Sequence, residues 1–489
     1  MNKKLIARFL GAILCIEAAA MLPAFLMSLY YQDGDTPVLG FCILGLLLPG
    51  GLLWFLARGQ SSGHLRLKEG FIIVALGWLA LSLGGALPFF FSDRYAGFED
   101  ALFEAVSGFT TTGATVTVDF DLFPRGLMLW RATTHWVGGM GVLVLTLALL
   151  PRLTGRTSHL VRAESPGPSL SKLVPHTAAT AKLLYRIYGV LTGMEFLALL
   201  LCGLSPYDAA IHSLSTAGTG GFSNYAASVG SFGNVAAEAV ITVFMFLFGV
   251  NFALYYHFLL AGPWKKLRSF FRDEEFRWYF GTVLTFMITL TVLNLSYYEW
   301  DPLASFRYSA FEVASVFSTT GFATVDFNLW PVASQMLIFL AMWLGASAGS
   351  TAGGIKFVRV VLLAKSVRRS IRRTGQPKKV LVVRLDGKAV DENMLTEMLI
   401  FAVTYVALVI VGGFLLSLEG KFAVQDNLSA ALTCVSNVGP AFGALASDFA
   451  SYGIFGKLVC CFLMLAGRLE LFPMLMLFAI RPNLFRRYT

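Results

Sequence analysis

The chain has 489 residues, 56% of them apolar and only 14% charged, with a formal net charge of +9. A soluble globular protein carries about 25% charged residues, so the composition excludes a soluble enzyme, a disordered chain and a soluble nucleic-acid-binding module. Length alone would suggest roughly three soluble domains of about 150 residues; the apolar content points instead to a bilayer.

A membrane helix needs about 20 mostly apolar residues. Ten segments qualify, at about 9–30, 37–57, 70–92, 126–150, 183–204, 235–262, 278–298, 331–363, 394–417 and 453–480. The first resembles a signal peptide, with Lys3, Lys4 and Arg8 ahead of an apolar run and Ala18-Ala19-Ala20 as a cleavage-like site. Its apolar stretch is too long and no secreted domain follows, so it is read as a true span. The six cysteines (Cys15, Cys42, Cys202, Cys434, Cys460, Cys461) show no paired spacing and read as packing residues.

Basic residues set the orientation. With the N-terminus inside, ten spans return the C-terminus inside, and 31 of the 38 Lys and Arg then face the cytoplasm. The densest cluster follows Lys356 and includes Arg359, Lys365, Arg368, Arg369, Arg372 and Arg373. The positive charge is thus topogenic and directed at lipid headgroups, with no nucleic-acid partner expected. Acidic residues such as Asp119, Asp121, Asp326 and Asp448 fall outside, where they would either concentrate cations or simply solvate loops.

After two leading helices the sequence repeats a unit of roughly 100 residues. Short polar segments at 99–109, 206–216, 308–318 and 425–435 each run into a Gly/Thr-rich stretch between apolar spans. Phe109–Ala114 aligns with Thr216–Gly221, Phe317–Phe322 and Val435–Pro440. Each segment is too short to cross and too polar for lipid, so it reads as a re-entrant half-helix with an extended return. Irregular backbone at membrane depth must be buried in protein or line a water-filled cavity. Four such loops imply an all-α membrane fold of four helix–pore loop–helix units in pseudo-four-fold order.

The candidate ion ligands are backbone carbonyls near Thr111, Thr112 and Gly113; Gly218, Thr219 and Gly220; Thr319, Thr320 and Gly321; and Asn437, Val438 and Gly439. Carbonyl oxygens replacing a hydration shell suit a potassium ion, and the shared glycine allows backbone geometry closed to other residues. Half-helix C-terminal ends facing the centre favour a cation. The eighth span is interrupted by Gly345, Gly349, Gly353 and Gly354 among other small residues. It is expected to be the single broken helix and to form an intramembrane gate, although small residues also allow close helix packing. Arg468 sits within the last span, where an unpaired charge is costly; the loop carbonyls are its expected partners. Lys356 reads as an interfacial lysine reaching for the membrane surface.

Other polar residues in the spans read as structural. Glu104 and Glu312 share an aligned position and suit the filter scaffold, His135 suits packing, and Gly138–Gly141 suits close helix approach. Glu195 and Glu238 have no evident role. Residues 379–388, with an Asp-Gly pair, suggest a small cytoplasmic hairpin. Together with 151–182 and 263–277 it could form a docking face. There is no HExxH, GxSxG or Walker A sequence, so no enzymatic activity is expected.

These stretches resemble the Trk/Ktr/HKT superfamily of potassium transporters, in particular its bacterial TrkH/TrkG-type membrane subunits. The resemblance is carried by Ser107–Val116, Trp130–Gly141, Ser215–Ser223, Ser318–Phe322, Gly345–Lys356 and Ser436–Pro440. It implies potassium uptake, potassium bound only at the filter, no covalent cofactor and a homodimer in the bacterial inner membrane. It also implies control by a cytosolic TrkA-type subunit, through which alone a nucleotide would act. Related plant transporters with serine at the first filter position prefer sodium, so Gly113 favours potassium. Each loop has one central glycine and lacks a full TVGYG, which suggests weaker discrimination against sodium. Coupled symport and weakly selective conduction stay open. The implied division is 1–69 for the extra helix pair and 70–150, 151–262, 263–363 and 364–489 for the four units.

Overall fold

The computed structural model describes residues 3–57, 67–141, 177–260, 270–376, 378–379, 381–471 and 474. The C-terminal ends of the expected fourth and tenth spans, the segment 151–176 and residues 263–269 lie outside these residues.

Among these residues, apolar runs of span length give six long helices. The first is a nearly continuous pair, α1 (Lys3–Ala20) and α2 (Leu22–Tyr31), followed by α3 (Thr36–Leu56) and α4 (Leu67–Phe91). Prolines at the first turns of α2 and α3 sit where the missing N–H is harmless. Next come the half-helix α5 (Phe98–Phe109) and the second helix of the first unit, α6 (Arg125–Gly139). The second unit has α7 (Thr177–Leu201), half-helix α8 (Pro206–Gly218), α9 (Val235–Phe248) and α10 (Phe252–Leu260). The third has α11 (Glu274–Asn294), half-helix α12 (Pro302–Phe317), α13 (Val332–Ala341) and α14 (Phe357–Gly375). The fourth has α15 (Glu392–Ser417), half-helix α16 (Val424–Ser436) and α17 (Ile454–Arg468).

The third half-helix starts earlier than the sequence suggests, because Asp301 caps it by accepting the N–H groups of Leu303 and Ala304 at 2.9 and 3.2 Å. The half-helices are buried along most of their length. Phe41, Leu48, Leu201, Val403 and Phe414 on the long helices are exposed, as a lipid-facing surface requires.

Among the described residues two second helices are interrupted, where the sequence suggests one: α9 stops at Phe248 and resumes as α10, and α13 stops at Ala341 and resumes as α14. The break after α9 falls on Gly249-Val250-Asn251, where Asn251 Oδ1 takes the N–H of Ala253 at 2.9 Å and starts the next helix.

Neighbouring units pack second helix against half-helix: α6 on α8, α9 on α12, and α17 on α5. The third and fourth units meet through Phe327 and Phe339 against Phe442, with ring centroids 5.0 and 6.0 Å apart. Between α14 and α15, β1 (Arg384–Leu385) pairs antiparallel with β2 (Lys388–Ala389) around Asp386-Gly387. Both turn residues have positive φ, as a two-residue hairpin of this type requires.

Candidate ion pathway

Each half-helix ends in the same turn. Thr111, Thr219, Thr319 and Asn437 are left-handed, with φ of 55, 55, 56 and 55°. The following N–H reaches back into the helix: Thr112 to Ser107 O at 2.9 Å, Gly220 to Ser215 O at 3.0 Å, Thr320 to Ser315 O at 2.9 Å and Val438 to Thr433 O at 3.1 Å. A glycine at positive φ comes next, namely Gly113, Gly221, Gly321 and Gly439.

These glycines interlock. A methyl group built on Gly113 would lie 1.9 Å from the Gly220 carbonyl oxygen, and one on Gly221 would lie 2.0 Å from that of Thr320. On Gly321 it would lie 2.0 Å from the Val438 oxygen, and on Gly439 2.6 Å from the Thr112 oxygen. Unit one thus meets two, two meets three, three meets four and four meets one. The cycle closes around one centre, and each contact tolerates only glycine. Beside it, Asn437 Nδ2 donates to Thr112 Oγ1 at 2.9 Å, a second tie between the fourth and first loops.

The second loop is shifted by one residue from its expected alignment. Gly221, not Gly220, is the counterpart of Gly113, while Gly220 matches Thr112 and Gly218 belongs to the end of α8. Aligning Gly221-Phe222 with Gly321-Phe322 would have found this. Gly220 is excluded from carrying a side chain for another reason: a methyl there would meet the His135 ring at 2.4 Å. His135 packs on the loop, stacked on Phe222 with centroids 4.0 Å apart.

The segment between α13 and α14 lies against these loops. Gly345, Gly349 and Gly354 have positive φ, and a methyl on Gly353 would lie 2.4 Å from Ser436 O. The segment is also tied to the break in the second unit. Phe252 N donates to Gly349 O and Ser347 N to Gly249 O, both at 3.0 Å. Glu275, at the start of α11, accepts the N–H groups of Ala348 and Val358 at 2.6 and 3.1 Å. Asn251 and Glu275 were missed in the sequence, although a lone Asn after Gly-Val in an apolar run is a cap signal.

Arg468 draws three units together. Its Nη1 donates to Thr351 O at 2.8 Å, and its Nη2 to Gly138 O and Gly139 O at 2.6 Å each. Glu470 is engaged elsewhere, by Arg359, whose guanidinium lies 4.0 Å over the Phe401 ring. Lys356 does not reach for the membrane surface. Its Nζ folds back on Ala352 O, within the interrupted segment. Glu238 gains a role by binding Arg307 of α12 through two hydrogen bonds, at 2.6 and 2.7 Å, which joins the second and third units. No group of metal-ligating side chains occurs among the described residues.

The fold and the interlocked loops define an all-α membrane protein of four pore-loop units closed about one axis. The chain belongs to the TrkH family of cation transport proteins, whose family model matches residues 40–487. It is 36% identical over 484 residues to the Trk system potassium uptake protein TrkH of Salmonella typhimurium, covering 98% of this chain and 99% of that protein. It is also 32% identical to the Trk system potassium uptake protein TrkG of Escherichia coli K12, over 97% of this chain and 98% of the relative. The crystal structure of the potassium transporter TrkH from Vibrio parahaemolyticus superposes with a TM-score of 0.89 at 31% identity, covering 99% of this chain and all of that one. These relatives are transporters, not enzymes, in line with the sequence.

Proposed function

We propose that the chain takes up potassium through a pore at the centre of the four loops, with backbone carbonyls around Thr112, Gly220, Thr320 and Val438 replacing the ion's water. The observation that carries this reading is the closed cycle of glycine-to-carbonyl contacts, which brings peptide oxygens from all four units to one place. Buried half-helices ending there add negative dipole ends, which favour a cation. The names of the relatives support potassium as the cargo.

The segment 345–354, with Arg468, serves as the gate. It packs directly under the third and fourth loops and is held by hydrogen bonds to backbone carbonyls that a modest shift would break. The protein acts as a homodimer in the bacterial inner membrane with both termini cytoplasmic. A cytosolic nucleotide-binding subunit docks on the cytoplasmic face, with the paired strands of the 384–389 hairpin as part of its contact. Rubidium uptake by the purified chain in liposomes, with and without opposing sodium or proton gradients, tests the reading. Uptake that follows the rubidium gradient alone supports a pore, and uptake that requires a second gradient supports coupled symport. No rubidium uptake in the presence of the regulatory subunit would refute it.

A further inference from the structure

Glu104 on α5 and Arg131 on α6 are the most deeply buried ion pair among the described residues, with side chains 0% and 2% exposed. Arg131 Nε donates to Glu104 Oε1 at 2.7 Å. The carboxylate also holds the strand leaving the first loop: Glu104 Oε2 accepts the Val116 N–H at 3.0 Å, and Oε1 accepts the Thr115 hydroxyl at 2.9 Å. The guanidinium holds the strand leaving the second loop. Its Nη1 donates to Ser223 O at 3.1 Å, and its Cζ lies 3.9 Å from the Phe222 ring centroid. Thr115 and Ser223 each stand two residues beyond the ring glycines Gly113 and Gly221. One ion pair therefore clamps equivalent points of two adjacent loops.

Among the described residues the other junctions lack this clamp. The position of Glu104 is taken by His212 in the second unit, and its Nε2 stays within that unit, 3.0 Å from Ser223 Oγ. In the third unit Glu312 leaves Oε1 without a hydrogen-bond partner among the described residues. The fourth unit has Ala430 there. A buried ion pair adds little net stability, because desolvation offsets its attraction. What a forked guanidinium does add is fixed geometry.

We infer that Glu104 and Arg131 are positioning residues for potassium selectivity, setting the spacing between the first and second loops of the ring. The inference rests on the potassium reading above. Its test is rubidium uptake by the full chain in liposomes, competed by sodium, for Arg131→Lys and Glu104→Gln. Sodium should compete about tenfold better in both variants, equivalent to one well-placed polar contact, with maximal rubidium flux largely kept. If a lone buried charge prevents folding, the paired variant Glu104→Gln with Arg131→Met buries none and should show the same loss of preference. A purely structural role would lower flux and thermal stability while leaving the rubidium-to-sodium ratio fixed. That result in any folded variant overturns the inference and spares the potassium reading. A parent protein that shows no preference for rubidium overturns both.

Discussion

The backbone N–H of Gly353 donates to Thr319 Oγ1 at 2.7 Å, so the segment that interrupts the third unit's second helix is bonded to a residue of that unit's own pore loop. Thr319 is left-handed and buried, and its side chain is held where it can accept this bond. The proposed gate and the proposed filter therefore share a hydrogen bond. Thr319→Val removes the acceptor and leaves the Gly353 N–H unpaired, at a cost of about 1–3 kcal/mol. Basal rubidium flux should rise several-fold, while Thr319→Ser, which keeps the oxygen, should stay close to the parent. Liposome flux assays without the regulatory subunit make the comparison.

Arg468 secures the same segment from the other side through Thr351 O, and it also binds the end of α6. Hydrogen bonds to a charged group are each worth roughly 1.5–3 kcal/mol, so Arg468→Ala should favour the open arrangement. The expected result is higher basal flux with little change in the rubidium-to-sodium preference, since these bonds to Thr351, Gly138 and Gly139 hold the segment and the end of α6. Unchanged flux in a well-folded variant would count against a gate here.

At the ring itself the effect should be on selectivity. A side chain on Gly113 must displace the Gly220 carbonyl, which stands 1.9 Å from the position of its Cβ. Gly113→Ser and Gly221→Ser should therefore both lose preference for potassium over sodium by about an order of magnitude, the scale of one lost ligand contact. The equivalence of Gly221 to Gly113 is what this pair checks. If only Gly113→Ser alters reversal potentials in mixed potassium and sodium, the one-residue shift of the second loop is wrong.

Why that shift escaped the sequence is physical. Gly220 and Gly221 are adjacent and both must be glycine, one to clear His135 and the other to admit the Thr320 carbonyl, so the local pattern cannot rank them. The four half-helices were legible because polar residues such as Glu104, His212 and Glu312 interrupt apolar sequence over a length too short to cross. The Asp386-Gly387 hairpin was legible because its turn geometry is local. The breaks in the second helices were not. Gly249-Val250-Asn251 is flanked by phenylalanines that satisfy any apolar window, and the chain can leave the helix there only because Phe252 N donates to Gly349 O and Gly249 O accepts from Ser347 N across units, with Asn251 capping the next helix. Arg131 likewise reaches Ser223 across 92 residues, a contact set by packing that no spacing rule encodes.

Glu275 gives a last prediction, linking the 384–389 hairpin to the interrupted segment. Its Oε1 takes the N–H groups of Ala348 and Val358. The adjacent Glu274 pairs with Lys365 and exchanges backbone bonds with the hairpin: Glu274 N to Asp386 Oδ1 at 2.9 Å and Asp386 N to Glu274 Oε2 at 3.2 Å. Two neighbouring residues thus hold the hairpin with one side chain and the segment with the other. Glu275→Gln keeps an acceptor oxygen and should preserve both thermal stability and basal flux. Glu275→Ala strands two buried N–H groups, each costing about 1–3 kcal/mol, and should lower the melting temperature and raise basal flux together. Asp386→Ala should leave basal flux near the parent but weaken the response to the regulatory subunit, because it frees the hairpin without touching the segment. Equal stimulation of Asp386→Ala and the parent by that subunit would show that the hairpin carries no signal.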